Sequence, residues 1–128
     1  MDKEVIHADR AAAPVGPYSL GVKTGNLLFV SGAVGWDTAG EVVGDGGVKA
    51  QTRQAFENIR AVLEAAGATL ENVVKVTVYL TDPDDYPAMN EVRAEVFPKD
   101  PPASTAFVVK RLIPPDVCVE IEAVAALD

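Results

Sequence analysis

The residues best suited to proton transfer lie near the end of the chain, where Val119-Glu120-Ile121-Glu122 alternates apolar and acidic side chains. In a strand this alternation places both carboxylates on one face. That face is either a solvated surface or the wall of a pocket in which Glu122 moves protons. Other polar groups offer less chemistry. Ser104 could supply a hydroxyl nucleophile, but no base lies nearby in sequence, the only histidine is His7, and no Ser-His-acid arrangement is suggested. A single histidine also excludes the usual zinc clusters. Cys118 alternates with Val117 and Val119 without a basic neighbour to stabilise a thiolate, so it reads as a buried free thiol. Tyr18 is either a core aromatic anchored by its hydroxyl or a pocket wall. Ser31-Gly32 follows an apolar strand as a turn or a bulge. Asn90 sits mid-helix, where asparagine is a poor helix former, so a specific hydrogen bond is expected there. Trp36 flanks either a cleft or a subunit contact.

Elements that could position these groups follow from the hydrophobic period. Val5-Ile6 reads as a short edge strand. Residues 18–33 read as a hairpin, with Tyr18, Leu20 and Val22 on one parity, a turn at Lys23-Thr24-Gly25-Asn26 and a returning strand at Leu27–Val30. Asp37–Gly40 turns the chain, and Glu41-Val42-Val43 is expected to form a short strand. From about Val48 to Ala66 the period becomes helical, with Ala55, Phe56, Ile59, Val62, Leu63 and Ala66 on one face and Gly67 as the stop. Residues 73–80 read as a strand whose Val74, Val76, Val78 and Leu80 share a buried face. Asp82-Pro83-Asp84-Asp85 opens a second helix that runs to about Phe97, with Tyr86, Met89, Val92, Val96 and Phe97 as its apolar side. Pro98–Pro102 ends it. Two last strands are expected near Thr105–Lys110 and Val117–Ala125, joined through Pro114-Pro115-Asp116.

The order β-β-β-α-β-α-β-β predicts an α+β fold with both helices on one face of a mixed sheet, within a single domain spanning 1–128. The opposite face would then be left uncovered by this chain, and a homo-oligomer is the simplest way to bury it. No apolar run approaches the length of a membrane span, and Met1-Asp2-Lys3-Glu4 lacks the layout of a signal peptide. With one cysteine, no internal disulfide can form, and a reducing, cytoplasmic setting is expected. The 11 basic residues are scattered and outnumbered by 19 acids, giving a net charge of −8. That balance argues against nucleic acid as a partner, because phosphate binding needs a basic surface.

Five segments in register carry a resemblance to the Rid family (YjgF/YER057c/UK114). These are Gly16-Pro17-Tyr18-Ser19 with Leu28-Phe29-Val30-Ser31-Gly32, Gln51–Ile59, Asn90-Glu91-Val92, Phe97-Pro98, and Val119-Glu120-Ile121-Glu122-Ala123. The resemblance implies a chorismate-mutase-like α+β fold, a homotrimer whose sheets pack into a central barrel, and small-molecule sites in the clefts between subunits. It also implies hydrolysis of reactive enamines and imines to a keto acid and ammonia without metal or organic cofactor. By the same resemblance Tyr18, Ser31, Gly32 and Asn90 line the site, Ser104-Thr105 belongs to its substrate-binding segment, and Glu122 handles water or the leaving nitrogen.

Three features depart from the pattern. Family members hold the substrate carboxylate with an arginine in a Pro-Ala-Arg-Ser/Thr segment, whereas Pro102-Ala103 is followed here by Ser104. A serine has neither the charge nor the reach of a planar guanidinium. Each charge-assisted hydrogen bond lost is worth about 1.5–3 kcal/mol. The connection to Val119 also looks one residue longer, at Ile113, and Arg93 stands where tyrosine is more usual. Arg93 reads as a solvated helix residue or as a replacement cation, and Arg111 and Lys110 are the other candidates. Three readings follow: a deaminase or tautomerase acting on an enamine or imine, a non-catalytic trimer that binds a metabolite or partner, and an endoribonuclease, which the acidic balance disfavours.

Overall fold

Residues 2–128 are described by a computed structural model. Its strands are β1 (Glu4–Ile6), β2 (Gly21–Thr24), β3 (Leu27–Val34), β4 (Val73–Leu80), β5 (Ala103–Val108) and β6 (Val119–Ala126), with helices α1 (Val48–Ala65) and α2 (Tyr86–Val96). They form one six-stranded sheet in the order β1-β2-β3-β6-β4-β5. Every pairing is antiparallel except β4 with β5, which is parallel. The α+β fold with two helices and a mixed sheet is therefore the one expected.

Both helices bury their apolar sides in one core. Ala55, Phe56, Ile59, Val62 and Leu63 of α1 and Met89 of α2 pack with Leu28, Val30, Val76, Val78, Leu80, Val119, Ile121 and Ala123 of the sheet. Phe56 meets Phe97 edge to face, with ring centroids 5.5 Å apart, which ties α1 to the end of α2. Gly67 ends α1 as expected, at φ +80°, a conformation in which a Cβ is strained. The other face of the sheet is left open. Phe29 and Phe107 are about half exposed, and all six residues of β5 are exposed.

Four local expectations need correction. Tyr18 lies in the loop before β2, because pairing of that strand starts only at Gly21. Glu41-Val42-Val43 makes one isolated bridge, Val42 with Trp36, and no strand. Val74 is 47% exposed and Val73 takes its buried place, because the register with β6 shifts between Val73 and Lys75. The strand expected at Thr105–Lys110 is Ala103–Val108, placed two residues earlier by its parallel register with Lys75–Leu80.

Candidate functional site

The pairing of β3 with β6 breaks once. Val30 lies opposite Ala123 and Ala33 opposite Ile121, so Ser31 and Gly32 together face the single residue Glu122. This is a β-bulge, one of the two readings the sequence allowed, and bulges re-aim side chains where they occur. Beyond it Val34 turns to the open side and packs with Leu112 and Val117 in a second small cluster.

The bulge is fastened from two sides. Ser31 Oγ donates to Ser19 O at 2.5 Å and Ser31 N donates to Leu20 O at 2.9 Å, so this hydroxyl anchors the loop that carries Tyr18. From the helix side, the buried Asn58 donates to Val34 O (3.0 Å) and Trp36 O (2.9 Å) and accepts from Ala12 N (3.2 Å). In the sequence Asn58 stands out only as one residue of the Gln51–Ile59 segment. The signal of its role is an asparagine on the apolar side of a helix, which must have partners when buried.

A cavity of about 450 Å³ opens at the bulge. Tyr18, Ser31, Gly32, Trp36, Glu120 and Glu122 are among its walls. Tyr18 is 46% exposed, and its hydroxyl accepts from Val15 N. Glu122 Oε1 accepts the Tyr79 hydroxyl at 2.6 Å. That bond, then burial and the charges of Glu122 and Glu120, pushes the Tyr79 phenol above its usual range. Glu120 lies directly over Gly32: a Cβ there would overlap Glu120 Oε2 and stand 2.9 Å from its Cδ. Burial, followed by the charge of Glu122, raises the Glu120 carboxyl above its usual range.

The remaining site residues lie elsewhere. Asn90 and Ser104 meet through Arg93, whose Nη1 donates to Ser104 Oγ at 2.7 Å and whose Nη2 donates to Asn90 Oδ1 (2.7 Å) and Tyr86 Oη (2.9 Å). Among the described residues no carboxylate pairs with Arg93. Ser104 thus faces α2, whereas Thr105 points to the open side of β5 and accepts from Lys75 Nζ at 3.3 Å. None of these residues lines the cavity, since β6 and β4 lie between β3 and β5. Arg111 spends its donors on Leu112 O and Ile113 O. Lys110 is exposed. Cys118 is half-buried, and burial, with the charge of Asp85, raises its thiol above the usual range, as suits an inert cysteine. Trp36 adjoins the cavity, and its indole nitrogen is buried without a partner. Among the described residues no group of three or more His, Cys, Asp or Glu could hold a metal ion, and no helix is long and apolar enough to cross a membrane.

A two-layer α+β protein with an acid-walled cavity of small-molecule size is the class that fold and site define. Residues 8–127 match the family model described as endoribonuclease L-PSP, and the chain belongs to that family, whose members include the Rid proteins its motifs resemble. It is 53% identical to a RutC family protein of Pyrococcus horikoshii, over 96% of this chain and 97% of that one. It is 36% identical to the 2-iminobutanoate/2-iminopropanoate deaminase of Dermatophagoides farinae, over 98% of both chains. The crystal structure of RidA from the Antarctic bacterium Psychrobacter sp. PAMC 21119 superposes with a TM-score of 0.91, at 42% identity, over 97% of this chain and 99% of that one.

Proposed function

We propose that this protein hydrolyses a reactive imine or enamine carrying a carboxylate, in a cleft that two subunits of a homotrimer complete. One observation carries the reading. Arg93 places a guanidinium on Ser104, so the position that lacks the family's arginine still holds a cation, delivered from α2 instead of β5. Asn90 and Tyr86 hold that guanidinium in place without neutralising it. The Ser104 hydroxyl, accepting from Arg93, keeps its own proton to donate. Together the two offer a forked pair of donors to a carboxylate.

Tyr18, Glu122 and the bulge supply the other half of the site. Each half alone is incomplete, and one chain keeps them apart. A trimer that covers Phe29, Phe107 and the exposed edge strand β5 would bring the halves of neighbouring subunits together. Glu122 would orient the attacking water and take its proton. The deaminase relative supports this substrate class. The cavity itself has two acidic walls and no basic one, which is poor chemistry for a phosphodiester.

The test is ammonia and keto-acid release from 2-aminoacrylate generated in situ, with no protein, wild type, Arg93→Ala, Ser104→Arg and Glu122→Ala. A wild-type rate above background is expected. Arg93→Ala should raise KM about 10- to 100-fold, the worth of one charge-assisted hydrogen bond, and Glu122→Ala should remove the rate. A silent wild type that Ser104→Arg awakens would overturn the assignment of Arg93. It would favour a scaffold turned to another ligand.

A further inference from the structure

We infer that Ile113 is a specificity-determining residue of this site, and that the side chain it selects is branched or aromatic, so that the substrate is an imino acid larger and more apolar than 2-iminopropanoate. The inference rests on the imine-hydrolase reading above and adds to it the part of the substrate that does not react.

The cavity is too large for the smallest imino acid. At about 30 Å³ per non-hydrogen atom, the share water takes in its liquid, 2-iminopropanoate would fill roughly 180 Å³. The cavity offers about 450 Å³. Most of its walls are apolar, among them Leu20, Val30, Val34, Trp36 and Ile113. Two of the polar groups on those walls are already committed to backbone. Ser31 Oγ donates to Ser19 O, and the Asn58 amide donates to Val34 O and Trp36 O. A polar substrate side chain would find few free partners here, whereas an apolar one would leave water for apolar surface.

Ile113 is built into the mouth of this cavity. It is 85% exposed, yet its backbone is held. Arg111 Nε donates to Leu112 O at 3.2 Å and its Nη2 donates to Ile113 O at 3.1 Å. Leu112 is buried with Val34 and Val117, which pins the segment to the sheet. Pro114 follows and restricts Ile113 to extended backbone. A lone exposed isoleucine needs no explanation on an ordinary surface. One fixed at a cavity that also exposes Val15 and Tyr18 presents a preorganised apolar rim. It falls where the connection to Val119 is one residue longer than the family pattern, so the extra residue supplies the rim.

The experiment compares kcat/KM for the imino acids derived from alanine, leucine and phenylalanine, generated in situ, in wild type, Ile113→Leu and Ile113→Ser. Wild type should favour the two larger substrates about 100-fold, since one methylene in an apolar pocket is worth roughly 10- to 200-fold. Ile113→Ser should cut that preference about tenfold, and Ile113→Leu should keep most of it. These are ratios within one variant, independent of how much of it folds. Trp36 is the only tryptophan and a wall of the cavity, so its emission reads binding without turnover. The keto acid of leucine should bind more tightly than pyruvate. An active wild type that treats the three imines alike overturns this inference and leaves the hydrolase reading standing. A wild type no faster than buffer on every imine overturns the hydrolase reading; the apolar subsite then stands if the keto acid of leucine still binds the more tightly, and falls if the two bind alike. The same preference in wild type and Ile113→Ser overturns the role of Ile113. Smaller species for Ile113→Ser in light scattering would assign the side chain to a subunit contact and overturn that role as well.

Discussion

In the proposed site, Ser104 and Arg93 together restore a charge from a neighbouring element. The serine is too short to reach an anion as an arginine would, but it leaves room for a guanidinium from one turn beyond Asn90. Arg93→Lys should therefore fail to substitute, because an ammonium cannot bond Ser104, Asn90 and Tyr86 in one plane; a KM raised nearly as far as in Arg93→Ala would bear this out. Glu120 carries a consequence for stability. Its carboxyl is raised in the folded protein, so between the ordinary value of 4.5 and the raised one the folded state binds more protons than the unfolded state. This contribution is fully present below the lower value and is lost as pH rises through the upper one. Urea midpoints across that range should fall for wild type and stay flatter for Glu120→Gln.

At the scale of elements, the bulge and Asn58 set the geometry of the cavity. Asn58→Ala would strand two carbonyls and the Ala12 amide, at about 1–3 kcal/mol for each group left buried. Chemical denaturation should show a loss near the upper end of single substitutions, accompanied by freer motion of the N-terminal loop in hydrogen exchange. Much of this scale was legible beforehand. The α1 stripe and its Gly67 stop follow from period and turn chemistry, and so does the strand at 73–80. What escaped were features set by partners rather than by local pattern. Val74 lost its buried place to a register shift against β6, and β5 moved because a parallel neighbour fixes its start. Glu120 and Glu122 looked alike in an alternating strand, and only Gly32 across the sheet and Tyr79 beside it distinguish them. Arg93 could be named as a replacement cation, but its bond to Ser104 depends on the packing of α2 against β5.

For the whole molecule, the open sheet face is the feature that a single chain leaves unexplained. Phe29 at 46% and Phe107 at 52% exposure lie on it, and Tyr79 stacks on Phe107 with ring centroids 6.1 Å apart. Tyr79 also holds Glu122, so a subunit packed on this face would steady the same side chain that positions the water. Assembly and catalysis should then fail together. Phe107→Glu puts a charge into the proposed contact, where burial without a partner is strongly unfavourable, yet it removes little from the folded core because Phe107 is half exposed. Light scattering should give a trimer for wild type and smaller species for Phe107→Glu, with far-ultraviolet dichroism unchanged. Imine hydrolysis should fall with the trimer fraction and recover on concentrating the variant. A monomeric wild type would overturn the shared cleft, because Arg93 on the helix-covered face of the sheet and Glu122 on its open face are kept apart within one chain. A dissociated Phe107→Glu that keeps full activity would instead place the whole reaction within one subunit, at the bulge.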